Sequence, residues 1–120
     1  MKILVCDDDE SVIRTVIFRL NQDNLNNIII ARNGFEAINH LREQEFDLVI
    51  TDIHMPYNNG GDVLNFVRVE QKKGVPIIML SSDAEEEVIA LAKKQGVNEF
   101  IKKPLREKVL SQAVRRLLRL

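Results

Sequence analysis

The sequence predicts an α/β fold in which five parallel strands form one doubly wound sheet, with a helix after each strand. Short, continuous apolar runs alternate along the chain with stretches whose apolar residues recur every three or four positions. Strands that are apolar on both faces and joined by crossover helices are typical of a parallel sheet covered on both sides. The 120 residues have the length of one domain, so we predict a single domain over residues 1–120.

The first half of the chain contains three of these strand–helix units. Their strands are predicted at Ile3–Cys6, Ile28–Ala31 and Asp47–Thr51. The first helix is expected to be capped near Asp9, and the second helix follows a turn at Asn33 and Gly34. Residues 56–61 are rich in helix breakers, so they predict a loop before a third helix that ends at Gly74.

The second half contains two further units. Strands are predicted at Pro76–Leu80 and Phe100–Ile101, and helices at Ala84–Gln95 and Leu105–Leu118. Three glutamates begin the helix at Ala84–Gln95 and two lysines end it, which favours a helix because each charge opposes the partial charge of that helix end. Gly96 is the expected stop.

Composition and charge restrict the possible functions. The net charge is −1 and 45% of the residues are hydrophobic, so we expect no direct binding to nucleic acid and no attachment to a membrane. No apolar stretch approaches the ~20 residues that span a bilayer, and the first residues do not resemble a signal peptide, so we expect a cytoplasmic protein. The single Cys6 excludes a disulfide framework and is expected to be a buried, apolar side chain.

Carboxylates follow two of the predicted strands. Asp7 and Asp8 come directly after the first strand, and Asp52 comes directly after the third. Parallel strands end at the same edge of the sheet, where ligands of open α/β folds bind, so we expect these three side chains to converge. Three carboxylates this close repel one another, so either one of them is protonated or a cation binds between them.

A hydroxyl group and an ammonium group are predicted at the same edge. Ser81 follows the fourth strand, and Lys103 follows the fifth. Taken singly, Ser81 would be interpreted as a loop or cap hydroxyl and Lys103 as a solvated lysine. Together with the acids they fit phosphoryl transfer to a carboxylate, because carboxylates suit Mg²⁺ while lysine and serine suit phosphoryl oxygens.

Four segments in order resemble the receiver domain of two-component response regulators, and the resemblance extends over residues 2–118. The segments are ILVCDDD at residues 3–9, DLVITDIHMP at 47–56, PIIMLS at 76–81 and FIKKP at 100–104. Each segment alone is weakly specific, whereas all four at these separations are highly specific. The resemblance implies a flavodoxin-like strand order, 2-1-3-4-5.

The resemblance also implies a role for each matched acid. Asp52 would accept a phosphoryl group from the phosphohistidine of a sensor histidine kinase or a phosphotransfer protein. Asp7 and Asp8 would bind Mg²⁺ together with Asp52 and the backbone carbonyl of His54. The side chains of His54 and Asp83 would flank the phosphoryl group and tune its hydrolysis.

The same resemblance implies how the phosphoryl group would be detected. Ser81 would donate a hydrogen bond to it, and Lys103 would pair first with Asp52 and then with the phosphoryl group. Phe100 would turn inward when Ser81 is drawn to the phosphoryl group, and the bond before Pro104 would be cis.

The output surface should be the fourth helix, fifth strand and fifth helix, because Ser81 and Lys103 connect these elements to the site. We expect an output protein or domain to bind there, and the chain to be a monomer or a weak homodimer. It could be a stand-alone receiver or the N-terminal receiver of a longer regulator. Asn58–Gly61 replaces a Met-Asp-Gly stretch that is common in the family, which suggests a looser loop.

Three other functions stay open on sequence alone. The first is a Mg²⁺-dependent phosphohydrolase with an aspartyl nucleophile, in which Asp7 and Asp9 would form the motif and Asp52 would be unexplained. The second is a flavodoxin-like cofactor binder, which the acidic, glycine-free loop after the first strand disfavours. The third is a receiver that only binds partners, although all the matched phosphorylation residues are present.

Overall fold

Five parallel strands form one sheet in the computed structural model, which describes residues 1–55, 57–82, 85–106 and 108–120. The strands are β1 Ile3–Cys6, β2 Ile28–Ala31, β3 Leu48–Asp52, β4 Ile77–Ser81 and β5 Glu99–Lys102. Their order across the sheet is β2-β1-β3-β4-β5, and every neighbouring pair is parallel. This order confirms the predicted fold and places the topological switch point between β1 and β3.

Helices cover both faces of the sheet. They are α1 Glu10–Gln22, α2 Gly34–Glu43, α3 Gly60–Asn65, α4 Glu86–Lys94 and α5 Val109–Leu118, and α3 continues into a π-helical turn at Phe66–Glu70. Helices α1 and α5 pack on one face, while α2, α3 and α4 pack on the other. Within the described ranges, no helix is both long enough and apolar enough to cross a bilayer.

The position of β1 between two other strands explains why its sequence is apolar without interruption. Ile3 and Val5 pack against the α1 and α5 side, and Leu4 and Cys6 pack against the other side, because successive side chains of a strand point to opposite faces. All four are buried. A strand in the middle of a sheet with helices on both faces therefore has no polar face.

The predicted helix starts at Asp9 and Asn33 are confirmed. The Asp9 side chain accepts a hydrogen bond from the backbone N–H of Ser11, and the Asn33 side chain accepts one from the N–H of Glu36. Each cap satisfies a backbone donor that has no partner within its own helix.

The third helix begins earlier than predicted. It starts at Gly60, inside the segment that we predicted as a loop, because Asn59 and Asp62 form a reciprocal capping box. The loop predicted to extend to Gly61 therefore ends at Asn59. Two helix breakers can occupy a first helical turn when a cap precedes them.

Three other helix ends also differ from the prediction. The π-helical turn ends the third helix at Glu70, before it reaches Gly74. Helix α5 begins at Val109 and not at Leu105, because Lys108 has a φ of 72°, which no residue of a right-handed helix adopts. Helix α4 begins at Glu86; its predicted first residue, Ala84, lies outside the described residues.

Candidate functional site

The three predicted carboxylates converge at the carboxyl edge of the sheet. Asp7 directly follows β1, Asp52 ends β3, and these strands are paired in parallel with Cys6 opposite Thr51. Carboxylate oxygens of Asp7, Asp8 and Asp52 all lie within 4.8 Å of one another. Asp7 and Asp52 are buried and Asp8 is exposed, so the acid cluster (Asp7, Asp8 and Asp52) opens to solvent on the side of Asp8.

Lys103 contacts two members of the acid cluster at once. Its Nζ lies 3.0 Å from Oδ2 of Asp7 and 3.2 Å from Oδ1 of Asp52, and its side chain is only 15% exposed. β5 is separated from β3 by β4, so the long lysine side chain crosses the end of β4 to reach the acids. The sequence did not predict the contact with Asp7, because nothing in a linear pattern shows which carboxylate a distant lysine reaches.

The backbone around Lys103 is held against the end of β4. The Lys103 N–H donates a hydrogen bond of 2.7 Å to the carbonyl oxygen of Ser81, and the bond between Lys103 and Pro104 is cis. Ser81 is fully buried as the last residue of β4. On the β3 side of β4, the Ile53 N–H donates a hydrogen bond to the Leu80 carbonyl oxygen. The residue after Asp52 is therefore bonded to the same strand as Lys103.

Burial and ion pairing act in opposite directions on the charges of the site. Burial raises the pKa of the Asp7 carboxyl above its usual value, although a hydrogen bond from the Asp9 N–H and the contact with Lys103 oppose the shift. Burial alone would lower the pKa of Lys103, but the hydrogen bond to Asp7 and the negative charges of Asp52 and Asp7 raise it overall. Lys103 therefore stays protonated at neutral pH and is the internal cation of the site.

The donor set fits a hard divalent cation. Oδ2 of Asp7 is buried and lies 3.0 Å from the Lys103 ammonium, which also contacts Oδ1 of Asp52. Three carboxylates face that one ammonium, so the cluster keeps oxygen atoms available for a further cation. Mg²⁺ prefers such oxygen ligands and commonly binds one or two carboxylates.

The remaining predicted site residues lie around the cluster or outside the described chain. His54 is exposed in the loop after β3. Phe100 is half-buried in β5 and packs against the α2, α3 and α4 side of the core, so it is not part of the acid cluster. Asp83 lies outside the described residues.

Cys6 is buried next to the site, as predicted. Burial raises the pKa of its thiol to about 12, so the group is a neutral thiol at physiological pH. Its Sγ lies 3.2 Å from Sδ of Met55 and 3.4 Å from the carbonyl oxygen of Asn33. This side chain therefore packs between β1, the start of α2 and the loop after β3.

Comparisons with known proteins identify the family that the four sequence segments resemble. A family model described as the response regulator receiver domain matches residues 3–115. The chain is 35% identical to the chemotaxis protein CheY-3 of Vibrio cholerae, over 93% of this chain and 87% of that protein. It is 34% identical to the DNA-binding response regulator MtrA of Mycobacterium leprae, over 98% of this chain and 51% of that protein.

A solved structure supports the same relationship. A two-component response regulator from Clostridium difficile superimposes with a TM-score of 0.90 at 25% identity, covering 99% of this chain and 96% of that one. The chain thus resembles a chemotaxis protein of nearly its own length as well as a DNA-binding response regulator that is about twice as long.

Proposed function

The chain belongs to the response regulator receiver domain family, and we propose that it carries out the phosphoacceptor role of that family on Asp52. The observation that supports this choice is the position of the Asp52 carboxylate at the end of β3, where it lies beside Asp7 and Asp8 and contacts the Lys103 ammonium. Of the two acids that contact Lys103, Asp52 is the more exposed, at 5% against 1% for Asp7.

The proposed reaction transfers a phosphoryl group from a phosphohistidine. One carboxylate oxygen of Asp52 attacks phosphorus, a new O–P bond forms, the N–P bond breaks, and the imidazole leaves with the bonding electrons. The product is an acyl phosphate. The donor would be a sensor histidine kinase or a phosphotransfer protein, and the domain would catalyse only its own phosphorylation and dephosphorylation.

Asp7, Asp8 and Asp52, with the backbone carbonyl of His54, would hold Mg²⁺. When bound, Mg²⁺ would supply positive charge that offsets the carboxylates and the transferring oxygens. Lys103, whose Nζ lies 3.2 Å from Oδ1 of Asp52, would exchange part of this contact for a phosphoryl oxygen.

The hydroxyl of Ser81 would donate a hydrogen bond to the phosphoryl group from the end of β4. Both Ser81 and Lys103 would gain contacts only after phosphorylation, which is the differential binding that a switch requires. The side chains of His54 and Asp83 would tune hydrolysis of the acyl phosphate.

We propose that the signal leaves through α4, β5 and α5. Ser81 ends β4 before α4, and Lys103 follows β5 before α5, so contacts made by these two residues bear on all three elements. Phe100 in β5 would change its packing in the phosphorylated state. An output protein or domain would bind this surface, with the chain a monomer or weak homodimer that does not itself contact nucleic acid.

Intact-mass measurement after incubation with acetyl phosphate and Mg²⁺ tests the assignment. The wild-type chain should gain one phosphate, and Asp52→Asn should gain none. Asp47→Asn is the matched control, because Asp47 is an exposed carboxylate near the other end of β3. A phosphate gained equally by Asp52→Asn would contradict the assignment, and ester hydrolysis lost in Asp7→Asn but kept in Asp52→Asn would indicate a phosphohydrolase.

A further inference from the structure

We propose that Gly34 is a positioning residue for the Mg²⁺ site. The start of α2 (residues 33–35) packs against the described part of the β3–α3 loop (residues 53–55 and 57–59), and this packing fixes the loop that carries the His54 carbonyl. The inference rests on the proposed function, which assigns that carbonyl to the metal. Gly34, in α2 and distant from Asp52 in sequence, would then be a further residue that determines the affinity for Mg²⁺.

The contact at Gly34 leaves no room for any side chain. A Cβ built on Gly34 would overlap the carbonyl oxygen of Asn58, at a separation well inside the 3.0 Å that real Cβ atoms respect. The overlap is with backbone, which has no flexible end that could swing away. Glycine is therefore required here for close approach.

Two further contacts join the same two segments. The backbone N–H of Phe35 donates a hydrogen bond of 3.0 Å to the carbonyl oxygen of Tyr57. Cys6 contacts both segments, since its Sγ lies 3.4 Å from the Asn33 carbonyl oxygen and 3.2 Å from Sδ of Met55. The tip of the loop is thus held by the start of α2 and by β1.

The base of the loop is closed independently. The Gly60 N–H donates a hydrogen bond of 3.0 Å to the carbonyl oxygen of Ile53, and a Cβ on Gly60 would overlap the carbonyl of Asp52. The exposed His54 lies between this closed base and the tip held by α2. Contacts on both sides of His54 would therefore position its carbonyl.

The backbone of the loop needs this external support. Tyr57 and Asn58 have φ values of 50° and 67°, a left-handed conformation that costs energy for Tyr57 and less for Asn58. Such conformations persist only where the surrounding structure holds them. Gly34 packs against the carbonyl of Asn58, and the Phe35 N–H donates its hydrogen bond to the carbonyl of Tyr57, so both residues are held by the start of α2.

A displaced loop would weaken metal binding because Mg²⁺ demands nearly ideal octahedral geometry. Replacing a residue that orients metal ligands typically lowers affinity about 10- to 100-fold. Gly34→Ala forces the Asn58 carbonyl to move, and with it the loop that contains His54. We therefore expect the Kd for Mg²⁺ to rise at least about 10-fold.

Two-dimensional amide NMR during a Mg²⁺ titration measures this Kd and shows in the same spectra that each variant is folded. Gly74→Ala is the matched control, because an added Cβ at Gly74 meets no atom within 4 Å. Gly74→Ala should bind Mg²⁺ as the wild type does, whereas Gly34→Ala should bind it at least about 10-fold more weakly. A folded Gly34→Ala variant with the wild-type Kd would overturn the inference.

A measurement on the wild type decides the question even if Gly34→Ala does not fold. If the start of α2 and the metal loop are coupled, saturating Mg²⁺ should slow hydrogen exchange of the Phe35 amide at least about fivefold, the lower end of typical couplings. The Gly74 amide should not change. An unchanged Phe35 amide would overturn the inference.

The two proposals fail in different ways. If the wild type binds Mg²⁺ and is phosphorylated on Asp52 while Gly34→Ala behaves identically, only the role of Gly34 is wrong. If the wild type neither binds Mg²⁺ nor accepts a phosphoryl group, the proposed function and the role of Gly34 fail together.

Discussion

Lys103 is the residue on which the charge balance of the site depends. Its ammonium pairs with the buried carboxylates of Asp7 and Asp52, which would otherwise repel each other in a region shielded from water. The sequence places acids and a lysine at one edge of the sheet. The distances show that the ammonium of this one lysine contacts both carboxylates.

Lys103→Met should destabilise the protein when Mg²⁺ is absent. Removing one partner of a buried ion pair leaves uncompensated charge, so we expect the free energy of unfolding to fall by about 2 kcal/mol at neutral pH. Added Mg²⁺ should restore more stability than it adds to the wild type, because the lysine no longer competes for the acids. Urea unfolding with and without Mg²⁺ measures both effects.

Lys102→Met is the control for this prediction. Lys102 precedes Lys103 in the chain, is exposed, and loses the same charge on substitution. It should change stability by only a few tenths of a kcal/mol, since surface charges contribute little. Equal stability of Lys103→Met and the wild type without Mg²⁺ would show that the ion pairs do not stabilise the fold.

Asp7 should link metal binding to stability. Burial raises the pKa of its carboxyl, which means that folding disfavours its charged form, so Asp7→Asn should be more stable than the wild type at pH 7 without Mg²⁺. With Mg²⁺ at 100 times its Kd, the wild type should gain about 2.7 kcal/mol, while Asp7→Asn gains little. Thermal unfolding at several Mg²⁺ concentrations measures this gain. An equal gain in the wild type and in Asp7→Asn would show that Asp7 does not bind the metal.

At the scale of elements, a small polar cluster joins α1 to α5. Asp23, at the end of α1, accepts hydrogen bonds from the Ser111 hydroxyl at 2.6 Å and from the Arg115 guanidinium at 2.6 Å. The Asp23 side chain is only 9% exposed. The first and last helices are therefore held together by directed bonds as well as by their apolar contacts.

The Asp23 contacts should make stability depend on pH. The hydrogen bonds from Arg115 and Ser111 lower the pKa of Asp23, so its stabilising effect is present above the unfolded pKa of about 3.9 and is lost as pH falls through the folded value. Asp23→Asn should therefore lower the unfolding free energy by about 1 kcal/mol at pH 7. The difference from the wild type should shrink below about pH 4.

Urea unfolding at pH 7 and pH 3 measures this dependence. Glu43→Gln, which neutralises an exposed carboxyl at the end of α2, should leave stability nearly unchanged at both values. A deficit of the same size at pH 3 as at pH 7 in Asp23→Asn would show that the ionised carboxylate is not the stabilising form.

Most element boundaries could be predicted because their signals are local. The apolar runs of β1 and β2 and the caps at Asp9 and Asn33 need only neighbouring residues to be recognised. The starts of α3 and α5 could not be predicted in the same way. Gly60 is helical because Asn59 caps it and the Asp52 backbone lies against it, and the left-handed Lys108 has no clear sequence signal.

At the scale of the whole molecule, the strand order assembles the site. Asp7 follows β1 and Asp52 ends the adjacent β3, while Ser81 ends β4 and Lys103 follows β5, the two strands on one side of β3. A phosphoryl group on Asp52 would therefore attract residues from only that half of the sheet. The elements attached there are α4, β5 and α5.

Phosphorylation should alter hydrogen exchange unequally across the molecule. We expect amides of Glu86–Lys94 and Glu99–Lys102 to change on treatment with acetyl phosphate and Mg²⁺, and those of Ile28–Ala31 to stay constant. Asp52→Asn under the same treatment is the control and should show no change. Uniform changes, or changes confined to α1 and α2, would contradict an output surface at α4, β5 and α5.

The sequence by itself determined the number of strands, their parallel arrangement, and the edge at which Asp7, Asp8, Asp52, Ser81 and Lys103 lie, because apolar periodicity and strand ends are local properties. Only the tertiary structure decided that Lys103 pairs with Asp7 as well as Asp52, and that Gly34 packs against the Asn58 carbonyl. These contacts join residues tens of positions apart, and their distances depend on how strands and helices pack together. No local pattern encodes such distances.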